Sequence, residues 1–373
     1  MDKRIVGIVC GTRPEIIKLA PVYHALRSHE ELCVLWVHTG QHGDMAADML
    51  RCFGIAPDVQ LARTGASLEA FSVECRSQLD ALMARQRWEA CIVQGDTESA
   101  FLGALAAFYR RVPVAHVEAG LRTYNLRRPF PEEGLRQMIS RIAGLHFAPT
   151  ERARAALLAE GIADERIQLT GNTVVDAQQW ICERHGIRRE GSAADGHILV
   201  TAHRRENWGE EMEQTFHAVA DLARAHPDRR VLFPVHLNPV VQRPAHAILQ
   251  GLDNVKLVAP LDYLGMQQAL VNAALLLTDS GGLQEEAPTF GVPTLVLRHE
   301  TERPEAVEAG CARLVGPRRA AIVREAERLL TDPAAAGAMR RAANPFGDGQ
   351  AARRIAQAVT RLVVPIEAAA LAA

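Results

Sequence analysis

Four carboxylates stand in short polar stretches where they could move protons: Asp96 in "QGDT", Glu118 in "HVEAGLRT", and the adjacent Glu132 and Glu133 in "RRPFPEEGLRQ". Enclosure raises a carboxylate pKa toward neutrality, which suits proton transfer at a poorly acidic carbon. Three histidines share this pattern: His42 in "TGQHGD", His203 in "TAHRREN" and His236 in "PVHLNP". A lone histidine in such a place is more often a structural hydrogen-bonder than a catalyst. The complementary chemistry is anion binding. "DSGGLQEEAP" (279–288) reads as a strand end, a tight turn at Ser280, Gly281 and Gly282, and a helix that opens with exposed amides. Such a start holds phosphate, Ser280 adds a donor, and Glu286 one turn in suits ribose hydroxyls better than phosphate oxygens. A capped helix after a glycine turn has the same appearance. "GTRPEIIK" (11–18) places Arg13 in a loop and Lys18 on the helix that Pro14 opens. Both cations could face a diphosphate, or be surface charge on an ordinary βα loop.

Other chemistries lack their spacing. There is neither GxxxxGK nor GxGxxG, so a Walker loop and dinucleotide binding are unsupported. HxH, HExxH and EF-hand patterns are missing and the acids lie on separate loops, so no metal site and no cofactor are expected. No Gly-x-Ser-x-Gly elbow presents a serine nucleophile.

Short apolar, β-branched runs must position these residues. Strands are expected at 4–10, 32–38, 90–94, 113–118 and 145–148, then at 197–201, 230–235, 255–259, 274–278, 293–297 and 312–316. Helical stretches alternate with them, at 15–27, 67–87, 97–109, 150–160, 209–226 and 318–331. Runs that are apolar throughout belong to parallel sheets covered on both faces. Ligands bind beyond the carboxyl ends of such strands, and "GTRPE", "TGQHGD", "QGDT", "HVEAGLRT", "TAHRREN", "PVHLNP" and "TDSGGLQEE" fall there, which points to two domain faces sharing one cleft.

A chain of 373 residues favours two domains. The polar "RHGIRREGSAADG" (184–196) is the linker candidate, giving domains over 1–185 and 186–350. A last helix begins near 350 and is followed by an alanine-rich tail to 373, and periodicity leaves open which domain it joins. A net charge of −2 argues against a general nucleic-acid or membrane-surface binder. Seven scattered cysteines without CxxC spacing point to free thiols in a reducing, cytoplasmic setting. No run approaches the length of a membrane span, and the N-terminus does not read as a signal peptide, so a soluble protein is expected.

In order along the chain, "GTRPEIIKLAP", "TGQH", "QGDT", "HVEAGLRT", "PFPEE", "TGNTVVD", "HRREN", "PVHLNP", "LTDSGGLQEEAP" and "TERPEAVEAG" resemble the non-hydrolysing UDP-N-acetylglucosamine 2-epimerases. The resemblance runs from residue 5 to about residue 350. It implies a glycosyltransferase-B-type fold: two Rossmann-like domains facing a cleft, with a final helix crossing back to the first. It implies an isomerase interconverting UDP-GlcNAc and UDP-ManNAc by anti elimination of UDP to 2-acetamidoglucal and syn re-addition, serving bacterial surface polysaccharide synthesis. Asp96, Glu118 and Glu132 would then be the acid/base carboxylates, with His203 at the leaving UDP. Arg13, Lys18 and Arg136 would stabilise phosphate or support the site. Ser280, Gly281, Gly282 and Glu286 would bind UDP, with His236 and Arg303 close by. Neither metal nor nicotinamide is implied, and a homodimer is. In bacterial members the substrate also activates allosterically, and Gln41 and His42 match that second site.

One departure stands beside the acids: where the family usually reads Pro-Glu-Glu-x-Asn-Arg, this chain has Gly134 and Leu135 before Arg136. That leaves a modified UDP-HexNAc open as substrate. A hydrolysing epimerase releasing ManNAc, a glycosyltransferase on the same fold and a silent UDP-sugar sensor are the rival readings. Within "PEEGLRQ", Glu132 is expected to enter the sugar site, Arg136 to hold that carboxylate or a phosphate, and Glu133 to serve only the helix dipole.

Overall fold

The computed structural model describes residues 3–42, 44–65 and 67–364. The chain forms two units: one holds the chain up to Ala177 and resumes at Gly347, the other is Gln178–Phe346. The first exchange falls inside the helix Thr173–His185, upstream of the polar stretch at 184–196.

Among the described residues of the first unit seven strands form one sheet: β1 (Arg4–Cys10), β2 (Leu32–His38), β3 (Val59–Gln60), β4 (Trp88–Gln94), β5 (Val114–Val117), β6 (Leu145–Ala148) and β7 (Ile167–Leu169). Their order is β3-β2-β1-β4-β5-β6-β7 and every pairing is parallel. The central strands are buried because helices cover both faces, so alternation is replaced by solid apolar runs such as the last five residues of β1. Gly7 is required there: a Cβ would lie 1.9 Å from the Trp88 ring across the β1–β4 pairing. The strands β3 and β7 escape sequence reading, since two or three residues carry no period.

The second unit has six strands, β8 (His197–Thr201), β9 (Val231–Pro234), β10 (Val255–Val258), β11 (Ala273–Thr278), β12 (Thr294–Val296) and β13 (Ala312–Leu314). Their order is β10-β9-β8-β11-β12-β13, again parallel throughout. Both units are therefore doubly wound α/β sheets. In each, the order reverses beside the first strand, between β1 and β4 and between β8 and β11. Successive loops diverge at such a switch point and leave a crevice beyond the carboxyl ends.

The last helix, Ala351–Val363, belongs to the first unit and packs on the helix Arg13–Arg27. Its opening amides, Ala351 and Ala352, donate to the Asp176 carboxylate at 3.3 and 2.8 Å. Burial pushes the Asp176 carboxyl up to about 6 despite those bonds. Residues 365–373 of the expected tail lie outside the described residues.

Candidate functional site

The loops beyond β1, β4 and β5 carry the first group of candidate residues. Thr12 precedes the helix Arg13–Arg27, and Glu15 three residues on folds back so that its carboxylate accepts from the Gly11 and Thr12 amides at 3.0 and 2.8 Å. Its other oxygen accepts from the Thr97 hydroxyl at 2.7 Å, tying the β1 loop to the β4 loop. Arg13 is half-buried at this entrance. Lys18 reaches the Glu118 carboxylate in an ion pair.

Glu118 follows β5 at φ 59, a left-handed conformation that a residue with a Cβ adopts at a cost. Its side chain shows why the cost is tolerated: Lys18 Nζ and Asn172 Nδ2 (3.1 Å) share Oε1, and Gln94 Nε2 donates to Oε2. The position is over-determined by three donors from three elements, as expected of a group that must not move.

Asp96 is half-buried in the β4 loop and bonded to Arg136 Nη2. Arg136 rises from the helix Glu132–Ile142, whose first turn carries the paired acids. One expectation is narrowed here and one is corrected. Arg136 is engaged by Asp96 and by Glu133, 3.5 Å away, so its contacts in the structure are not with Glu132. Glu133 is wholly buried and accepts from the Thr123 amide (3.0 Å), the Tyr124 amide (3.1 Å) and Gln137 Nε2 (2.7 Å), so it does much more than face a helix dipole. Burial works to raise the Glu133 pKa, but these donors and Arg136 outweigh it and hold the group below the usual carboxylate range. The physical reason is helical rotation: one residue apart, Glu132 and Glu133 face about 100° from each other, and Glu133 takes the inward side. Glu132 Oε2 is buried and has no hydrogen-bond partner among the described residues. Leu135 is buried in the same helix, so the missing asparagine is replaced by core packing.

Gln41 Oε1 accepts from the amide and hydroxyl of Ser99, at 3.0 and 2.6 Å, at the start of the helix Glu98–Tyr109. His42 is exposed.

The second unit presents a different chemistry beyond β8, β9 and β11. Asp279 is fully buried; its Oδ2 accepts from the His203 and Arg204 amides at 2.7 and 2.8 Å, and Oδ1 lies 3.1 Å from His203 Nδ1. Burial tends to raise the Asp279 pKa, yet the His203 and Arg204 contacts prevail and hold it down. The His203 and His236 rings stack, with centroids 5.8 Å apart. Ser280 caps the helix Gly281–Glu286. Gly281 leaves its space to Arg204, whose Nη2 would stand 3.6 Å from a Cβ there, and Arg204 Nε is buried without a hydrogen-bond partner among the described residues. Gln267 Nε2 donates to Glu286 Oε2 at 2.6 Å, and Gln178 Nε2 to Gln267 Oε1 at 2.8 Å. Arg303 is ion-paired with the buried Glu285.

Sequence reasoning did not single out Gln94, Asn172, Arg204, Gln267 or Asp279. Gln94, Asn172, Arg204 and Asp279 sit in motifs it quoted, "QGDT", "TGNTVVD", "HRREN" and "DSGGLQEEAP", but their partners lie 24 to 75 positions away along the chain. No local pattern signals Gln267.

A carboxylate set held by cations and amides on one doubly wound sheet, with an anion-type turn and an Arg/His group on another, is the make-up of an acid/base enzyme for a nucleotide-type ligand. The family model for UDP-N-acetylglucosamine 2-epimerase matches residues 24–360. The chain is 45% identical over 368 residues to the UDP-N-acetylglucosamine 2-epimerase of Escherichia coli K12, covering 94% of this chain and 97% of that one. Against the Bacillus subtilis 168 enzyme the identity is 44% over 362 residues, covering 96% and 95%. The structure of UDP-GlcNAc 2-epimerase from Neisseria meningitidis bound to UDP-GlcNAc matches with a TM-score of 0.85 at 37% identity, covering 96% of this chain and 100% of that one. This chain belongs to the UDP-N-acetylglucosamine 2-epimerase family.

Proposed function

We propose that this protein is an isomerase that inverts C2 of UDP-GlcNAc to give UDP-ManNAc, reversibly and without hydrolysis. A base of the first unit takes the C2 proton while the C1–O bond to UDP breaks, leaving 2-acetamidoglucal and UDP. A proton then returns to C2 on the opposite face as UDP adds back to C1, so atoms and charge balance over the cycle. Asp96, Glu118 and Glu132 are the acid/base groups. Arg13, Lys18, Arg136 and His203 offset the charge that develops on the leaving diphosphate. Ser280, Gly281, Gly282, His236 and Arg303 support UDP binding, Glu286 takes the ribose, and Arg204 adds a cation beside the glycine turn. The observation that carries the reading is Glu132 Oε2, a carboxylate oxygen buried without a hydrogen-bond partner among the described residues, in the same unit as the pinned Glu118 and the Arg136-held Asp96. A buried polar atom left so is expected to be satisfied by a ligand or to act on one.

Incubation with UDP-GlcNAc in deuterated water tests it: NMR should show deuterium entering C2 and UDP-ManNAc accumulating. Release of free ManNAc would make the protein a hydrolysing enzyme, and binding without exchange would make it a sensor.

The same proposal includes a homodimer, activation by UDP-GlcNAc at Gln41 and His42, and a cytoplasmic location. Exposed Val73, Phe108 and Tyr109 on the neighbouring helices Leu68–Arg85 and Glu98–Tyr109 favour the dimer, which light scattering checks. Hyperbolic kinetics in UDP-GlcNAc, with UDP-ManNAc turning over unaided, would remove the activation. Cys10, Cys33, Cys75, Cys91, Cys182 and Cys311 form no disulfide, and among the described residues no helix is long and apolar enough to cross a membrane.

A further inference from the structure

We infer that Glu133 is a positioning residue for the proposed reaction: it anchors the Thr123–Tyr124 loop and shares Arg136 with Asp96. A glutamate that served only a helix dipole would be solvated at the helix start. Glu133 is instead fully buried, and both of its oxygens are committed, one to Thr123 and Arg136, the other to Tyr124 and Gln137. Tyr124 sits at φ 57, a conformation that needs holding, and its amide bond to Glu133 supplies the hold. Arg136 presents Nη1 to Glu133 and Nη2 to Asp96, so one guanidinium spans two carboxylates on different elements. Glu132, the residue before Glu133, is aimed by the same first turn.

The charge arrangement gives this a consequence beyond shape. Glu133 and Asp96 compete for one cation. Arg122, on the loop after β5, is spoken for by Glu160 and Ser140, and His116 of β5, pushed down to about 3 by burial, carries no charge near neutrality. Glu132 is the remaining acid of the turn. Neutralising Glu133 therefore leaves Arg136 to Asp96 alone. This inference rests on Asp96 taking part in the reaction.

The experiment compares the whole protein with Glu133→Gln and Glu133→Asp across pH 5.5–9, measuring kcat, KM and the UDP affinity by calorimetry. For Glu133→Gln we expect kcat to fall by about tenfold or more with UDP affinity retained. The acid limb of the kcat profile should move to lower pH, because one guanidinium then serves one carboxylate instead of two. Glu133→Asp keeps the charge and should keep the limb in place at an intermediate kcat. A Glu133→Gln protein with unchanged kcat and profile overturns the inference, as does a loss of kcat matched by an equal loss of UDP affinity with the limb unmoved. If Glu133→Gln does not fold, Glu133→Asp decides by itself, and wild-type kcat there overturns it. Wild-type protein that shows no C2 exchange sinks the functional reading instead, so the two failures are told apart.

Discussion

Replacing Glu15 with glutamine should remove a pH dependence from the stability of the first unit. Burial pushes this carboxyl from 4.5 up to about 7, against the opposing pull of Thr97, Gly11 and Thr12. All three partners donate, so the ionised form is well bonded but poorly solvated, and a protonated form has only the Thr97 oxygen to give its proton to. The sign follows from proton binding. Between pH 4.5 and 7 the folded state holds a proton that the unfolded state has released, so stability is fully present below 4.5 and is lost as pH rises through about 7. That displacement corresponds to about 3 kcal/mol in total, most of which is lost between pH 5 and 8. Hydrogen exchange of the slowest amides of β1 and β4, corrected for intrinsic rates, measures that stability. Glu15→Gln should gain on wild type by about that much over the interval, because every other titration cancels in the difference. A stability difference that is the same at pH 5 and pH 8 refutes the reasoning.

Glu132→Gln and Asp96→Asn should each lower turnover by about 10²–10⁴-fold with UDP affinity kept, read by C2 exchange and calorimetry; unchanged turnover removes that residue from the acid/base set. Glu286→Ala should weaken UDP binding, and Gln267→Leu should do so by about fivefold through loss of one hydrogen bond to Glu286. Equal affinities in wild type and Gln267→Leu would show that Glu286 needs no such support. His116 is buried and pushed from 6.5 down to about 3, so its contribution is present above 6.5 and is lost as pH falls toward 3. Acid should therefore destabilise β5 by up to about 1.4 kcal/mol per pH unit from this group, and His116→Asn should blunt that slope in the same exchange measurement.

Much of the frame was legible because its causes are local. Solid apolar runs announce strands covered on both faces, and β1, β2 and β8 run over the expected residues. The turn at Ser280, Gly281 and Gly282 was legible because glycines and a capping hydroxyl leave their mark within a few residues. The two short edge strands were not, since their hydrogen bonds come from neighbours the local pattern cannot name.

The roles of adjacent residues show the limit best. The pair Glu132–Glu133 is symmetrical in sequence, and only the burial of one face of the helix separates a carboxylate with an unpartnered oxygen from one that anchors a loop. The destination of Arg136 was likewise undecided, because a guanidinium one turn along a helix can turn to several acids and the fold brought Asp96 and Glu133 to it. Composition, period and motif spacing determined the fold class, the polar strand ends and the acids worth watching. The tertiary structure decided which acids are clamped, which cation each shares, and which oxygen is left without a partner, since those depend on contacts between residues far apart in the chain whose geometry no local pattern encodes.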